Sequence, residues 1–230
     1  MKSAHGRNLA TSVTGDPLSR KDLETCLKPM AWLNDEIINA YLALLVAYLR
    51  KTNHNAGRHD KPKYHAFTSF FFSNLRDKGY SSVRRWATRA KIGGQSLLDV
   101  DTVFVPVHNH AHWTLIVVKP QERSIENFDS MGTLSRSHVA VIQSWLQSEL
   151  GPSYSKEEWQ VLPSLSPQQD NGSDCGVFLL TTAKAVAIGL EPRSYCAQDT
   201  VLLRRKIVAE LMAGGLEGDL DPASGGEVLL

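Results

Sequence analysis

Three cysteines in 230 residues, Cys26, Cys175 and Cys196, are too few and too scattered for a disulfide framework. They form no Cys-x-x-Cys pair and no Cys–His pair at zinc-ligand spacing, so no structural metal is expected. A cysteine-poor chain of this kind suits a reducing compartment, cytoplasmic or nuclear. Charge of one sign is also scarce. The net charge of +1 lacks the basic excess that marks a nucleic-acid or membrane surface. Long apolar runs are missing as well. The best candidate, IINAYLALLVAYL (37–49), is too short to span a bilayer and carries Asn39. The opening MKSAHGRNLATSVTGD has no apolar block of the kind a secretory signal needs, and its abrupt start fits a domain within a longer protein. What is present, 42% hydrophobic and 21% charged residues, suffices for one soluble domain whose core needs no metal or disulfide.

Residues 1–20 are polar and without period, and read as a flexible arm. A short helix and a turn around Pro29 follow. Asn34 then caps the clearest helix, Asn34 to Lys51, with Asp35 and Glu36 at its positive end and Arg50 and Lys51 at the other. Residues 52–63 form a polar loop. Beyond Gly93-Gly94 the period becomes strand-like, giving strands over 101–107, 112–118 and 124–130. A helix ends at Gly151, a strand-like stretch begins near Trp159, and two further helices run over 174–190 and 199–212. The segment 216–230 is acidic and glycine-rich, and is expected to be disordered. The chain thus reads as one α+β domain over 21–215.

The stretch QQDNGSDCG (168–176) sets a cysteine before the apolar run VFLL. Cys175 fits a buried thiol opening a core helix, and equally a nucleophile whose thiolate is favoured by the helix dipole. A nucleophile needs a base. His5, His54, His59 and His65 lie in polar surroundings, and nothing recommends His138. His108, His110 and His112 cluster, but no carboxylate or cysteine lies near them in sequence to complete a metal site. His112 opens a strand whose hairpin partner ends at Asp129. A turn over Lys119–Arg123 makes His112 face Met131 with Asp129 its diagonal neighbour on the same face. A slip of two sets Asp129 directly opposite. Either register allows an imidazole–carboxylate hydrogen bond, the orienting contact of a general base, although such pairs also occur as structural surface pairs. Gln169, six residues before Cys175, has an amide able to donate to an oxyanion; as a glutamine in a polar loop it is otherwise ordinary.

Taken in chain order, WLNDEIINAYL (32–42), FFFSNL with GYSSVRRW (70–86), VFVPVHNHAHWTLIVV (103–118), NFDSMG (127–132) and QQDNGSDCGVF (168–178) resemble the Ulp/SENP cysteine proteases, which process and deconjugate the ubiquitin-like modifier SUMO. The resemblance implies a papain-like α+β fold. It implies His112 as general base and acid, Asp129 as its orienting acid, Cys175 as nucleophile and Gln169 as oxyanion-hole donor. It also implies Trp32 and Trp113 as a pair enclosing the Gly-Gly terminus of SUMO, and Asp35 as partner of a modifier arginine. Core packing is the plain alternative for each tryptophan, and a helix-cap role for Asp35. Asp170 departs from the proline common there, and the 52–63 loop is longer than the family leads one to expect.

The expected reaction is cleavage after the SUMO C-terminal Gly-Gly, for deconjugation from target lysines or precursor maturation. No cofactor, metal, nucleic acid or membrane is implied, and the expectation is a nuclear monomer that meets SUMO and sumoylated proteins. Three alternatives stay open: another ubiquitin-like modifier, an acyltransferase on the same fold, and a catalytically silent SUMO-binding module.

Overall fold

A computed structural model of the chain describes residues 8–132 and 134–222. In chain order the elements are β1 (Asn8–Thr11), β2 (Pro17–Ser19), α1 (Arg20–Leu27), α2 (Asp35–Thr52), β3 (Tyr64–Ala66), α3 (Phe70–Lys78) and α4 (Arg84–Arg89). They continue with β4 (Thr102–Asn109), β5 (His112–Lys119), β6 (Ser124–Phe128), α5 (Arg136–Leu150), β7 (Gln160–Val161), α6 (Cys175–Ala187) and α7 (Thr200–Ala213). These pack as two compact units. A helical unit holds residues 8–48, 130–132 and 165–222, and a sheet unit holds 49–129 and 134–164. Local periodicity does not say which elements pack together, so this division leaves no mark in the sequence.

The sheet unit is built on five strands in the order β3-β4-β5-β6-β7, with β3 and β7 parallel to their neighbours and the rest antiparallel. Val103, Val105, Val107, Ile116, Val118 and Ile125 line one face, in one core with Phe71 and Phe72 of α3 and Ile142, Trp145 and Leu146 of α5. Phe67 stacks on Phe71 at 3.7 Å, and Trp145 stands edge-on to both. Phe104, Leu115, Val117 and Phe128, on the opposite face, are buried too, which is why β4 and β5 read as nearly continuous apolar runs. The β5–β6 register pairs Leu115 with Phe128 and Lys119 with Ser124, the first of the two registers expected from the turn length. Fully buried Asn127 accepts the Ser135 N–H at 2.8 Å, which fixes the chain just before α5.

In the helical unit, Asn34 caps α2 as expected, accepting the Ile37 N–H at 3.1 Å. Glu210 of α7 is fully buried between Tyr41 of α2 and Lys184 of α6, at 2.5 and 2.6 Å, so three helices share one satisfied ion pair. Two expectations need correction. Residues 8–19 belong not to an arm but to an antiparallel β1–β2 hairpin, closed by the Ser12–Asp16 turn with Gly15 in the left-handed region. Leu18 is its one buried apolar side chain, too little to show as periodicity. The first turns of the 216–230 segment are likewise held: Leu216 is buried and Tyr48 donates to Asp221 at 2.9 Å. Residues 1–7 and 223–230 lie outside the described residues. Among the described residues, no helix is long and apolar enough to cross a membrane.

His65 on β3, edge-on to Phe67, offers a test of the sheet unit's packing. Burial, helped by the Arg50 charge, pushes its pKa down from 6.5 to about 4. The unfolded chain therefore takes up this proton at higher pH than the folded one. The contribution is complete above about pH 6.5 and is lost as pH falls toward 4. Urea unfolding at pH 7 and pH 5 should show His65→Phe losing about 1–2 kcal/mol less than the parent chain between the two pH values.

Candidate active site

Cys175 is the first residue of α6 and is 2% exposed. The loop before it is tied down almost atom by atom. Asn171 Oδ1 accepts from the backbone N–H groups of Ser173 and Asp174 at 2.9 and 3.1 Å, and from the Ser173 hydroxyl at 3.0 Å. Asn171 Nδ2 donates to Asp174 Oδ2 at 2.7 Å. Asp174 stands at the helix cap position yet makes no side-chain cap bond, because its carboxylate is turned to Arg204. The positive end of α6 is thus left to the first-turn amides and the Cys175 sulfur. Gly176 is required by packing, since a Cβ there would lie 2.9 Å from Leu33 Cβ.

The other two cysteines contrast with it. Cys26 is fully buried, its Sγ–H donates to the Arg204 carbonyl at 3.4 Å, and burial pushes its pKa up to about 12. Cys196 is exposed and lies within the connection between α6 and α7.

Gln169 lies in the same unit as Cys175. Its backbone N–H donates to the Ser130 carbonyl at 2.9 Å and its Nε2 donates to the Asn171 carbonyl at 2.5 Å. In the sheet unit, His112 opens β5 and its Nε2 donates to Asp129 Oδ1 at 2.7 Å. β6 ends at Phe128, so Asp129 reaches the imidazole from the first residue past the strand rather than from within the ladder. The clustered histidines divide their tasks: the His108 ring lies 4.3 Å from that of Trp113, tilted by 33°, and His110 turns the hairpin in the left-handed region. Among the described residues no three His, Cys, Asp or Glu side chains converge where a metal could be held.

The two tryptophans differ sharply. Trp113 is 5% exposed, whereas Trp32 is 53% exposed although Leu33 beside it is buried. Core packing therefore does not account for Trp32. Asp35 is the first residue of α2 and half-buried, with Asn34 as the cap acceptor.

Residues 31–214 match the model of the Ulp1 protease family, C-terminal catalytic domain. The chain belongs to the Ulp1 protease family. Sentrin-specific protease 2 of Mus musculus is 33% identical over 202 residues, covering 85% of this chain and 32% of that protein. Sentrin-specific protease 3 of Mus musculus is 34% identical over 212 residues, covering 89% of this chain and 34% of that protein. The chain thus spans about a third of the length of the curated relatives it matches. The catalytic domain of the Chaetomium thermophilum Ulp1-like SUMO protease superposes with a TM-score of 0.88 at 35% identity, over 94% of this chain and 87% of that one. The C-terminal Ulp1 protease domain bound to Smt3, the yeast ortholog of SUMO, gives 0.76 at 26% identity, over 94% and 91%. The fold is accordingly the α+β, papain-like one that the motifs implied.

Sequence reasoning missed one residue of this Ulp1-family domain on which the loop before Cys175 depends. Arg204 of α7 is 3% exposed and all three guanidinium nitrogens donate. Nε and Nη2 reach Asp174 Oδ1 at 3.0 and 2.5 Å, Nη1 reaches the Cys26 carbonyl at 2.9 Å, and Nη2 also reaches the Ala31 carbonyl at 2.8 Å. Arg204 and Leu33 together fix the chain on both sides of Trp32. In LLRRK nothing distinguishes it from the exposed Arg205 beside it. Arg204→Met strands a buried carboxylate and several carbonyls, and should lower stability by about 3–5 kcal/mol in urea unfolding. Arg205→Met should change it by less than about 0.5 kcal/mol.

Proposed function

We propose that this domain is a thiol protease that cleaves after the C-terminal Gly-Gly of SUMO, releasing target lysines or a precursor tail. The observation that carries the reading is the 2.7 Å contact of His112 with Asp129 in a chain of the Ulp1 family. With Nε2 engaged by the carboxylate, the imidazole is oriented and its Nδ1 is the atom that exchanges the proton. The Cys175 thiolate attacks the carbonyl of the terminal glycine, forming a carbon–sulfur bond and an oxyanion. The Cys175 backbone N–H and the Gln169 amide receive that charge. Collapse expels the amine, which takes its proton from His112. Water, deprotonated by His112, then attacks the thioester; the glycine carboxylate leaves and the thiolate returns.

Trp32, exposed yet anchored by its neighbours, suits a clamp on a segment with no side chains, with Trp113 as the second wall. Glycine offers nothing to grip, so a narrow aromatic passage selects it by excluding any Cβ. The half-buried carboxylate of Asp35 suits pairing with an arginine of the modifier. The reading extends to SUMO and sumoylated proteins as partners, a monomeric enzyme and a nuclear setting.

A panel of fluorogenic C-terminal substrates tests the reading. Release is expected from the SUMO terminus and not from ubiquitin or Nedd-type termini, and Cys175→Ser should lower it about a thousand-fold or more while SUMO binding persists. Release from a ubiquitin or Nedd-type terminus with none from SUMO overturns the substrate. Full release by Cys175→Ser overturns the chemistry.

A further inference from the structure

We infer that Ser130 is a positioning residue for Gln169, setting the direction and strength of the oxyanion donor; the inference rests on the cysteine-protease reading above. Ser130 is 4% exposed, and its Oγ–H donates to Gln169 Oε1 at 2.6 Å. Its carbonyl accepts the backbone N–H of the same glutamine at 2.9 Å. One residue therefore grips both ends of Gln169.

The orientation of the carboxamide follows from what each neighbour can do. The Asn171 carbonyl, 2.5 Å from the amide nitrogen, can only accept, so the NH2 group must face it and Oε1 must face Ser130. The NH2 carries two hydrogens. One is committed to Asn171, which leaves the other as the donor for developing charge. Without the Ser130 hydroxyl, the amide keeps its anchor at Asn171 but loses the restraint on its oxygen, and the second hydrogen is no longer held in one direction. Donation from Ser130 into Oε1 also draws electron density from the amide nitrogen, so its remaining N–H becomes a better donor. Both effects act on a charge that exists only after attack, so they stabilise the transition state and leave ground-state binding alone.

Ser130 directly follows Asp129 in the chain. Consecutive residues then serve the two halves of the chemistry: Asp129 orients the imidazole and Ser130 orients the oxyanion donor. No local feature of NFDSMG announces the second role, because its partner lies 39 residues away.

The test uses the whole chain with Ser130→Ala, Gln169→Ala and the double substitution, assayed on a SUMO C-terminal fluorogenic substrate with urea unfolding alongside. Ser130→Ala should lose about 10-fold in kcat with KM and unfolding midpoint nearly unchanged. Gln169→Ala should lose about 100- to 1,000-fold, and the double variant no more than Gln169→Ala alone. A SUMO C-terminal aldehyde, which gives an oxyanion on Cys175, should bind Ser130→Ala about 10-fold more weakly, with SUMO bearing its free carboxylate bound as before. If Gln169→Ala slows but Ser130→Ala does not, or if the losses multiply in the double variant, the inference falls and the protease reading stands. Unchanged kcat in Gln169→Ala overturns the oxyanion assignment and this inference together.

Discussion

The buried Arg204–Asp174 pair is the contact on which the cysteine-bearing loop depends. Removing two charges from water costs several kcal/mol per ion, and only near-complete satisfaction offsets it. Here the guanidinium donates to Asp174 and to the Cys26 and Ala31 carbonyls, and the second carboxylate oxygen is taken by Asn171. The pair therefore joins α7, the chain after α1 and the residue before Cys175. Once Asp174 is claimed in this way it makes no side-chain bond to the start of α6, which leaves the first-turn amides to the proposed oxyanion.

A common physical pattern runs through the other proposed site residues. Each is held by a neighbour chosen for what it can donate or accept: His112 by Asp129, Gln169 by Ser130 and Asn171, and the chain beside Trp32 by Arg204. Gly176 adds a steric version, since the absent side chain lets Leu33 approach the start of α6 and leaves Trp32 facing solvent. Trp32, exposed while the chain on either side of it is held, is the element proposed to clamp the Gly-Gly terminus.

Much of this was legible in the sequence, wherever the signal is local. Asn34 marked the start of α2, and the length of the Lys119–Arg123 turn set the β5–β6 register and so the meeting of His112 with Asp129. Features resting on single long-range contacts were not legible. The β1–β2 hairpin buries Leu18 alone of its apolar side chains, the start of the 216–230 segment hangs on Leu216 and Asp221, and the roles of Ser130 and Arg204 on partners 39 and 30 residues distant. The strand expected over 159–166 shrank to Gln160–Val161, since Pro163 has no N–H to give a ladder.

The central claim is that Cys175, alone among three free cysteines, attacks the C-terminal glycine of SUMO. Mass spectrometry of the intact chain after exposure to SUMO bearing a C-terminal vinyl sulfone addresses it most directly. The account predicts one SUMO added per chain, mapped to Cys175 and absent in Cys175→Ser. Modification at Cys196 instead, or a folded chain that takes up no SUMO, would contradict it.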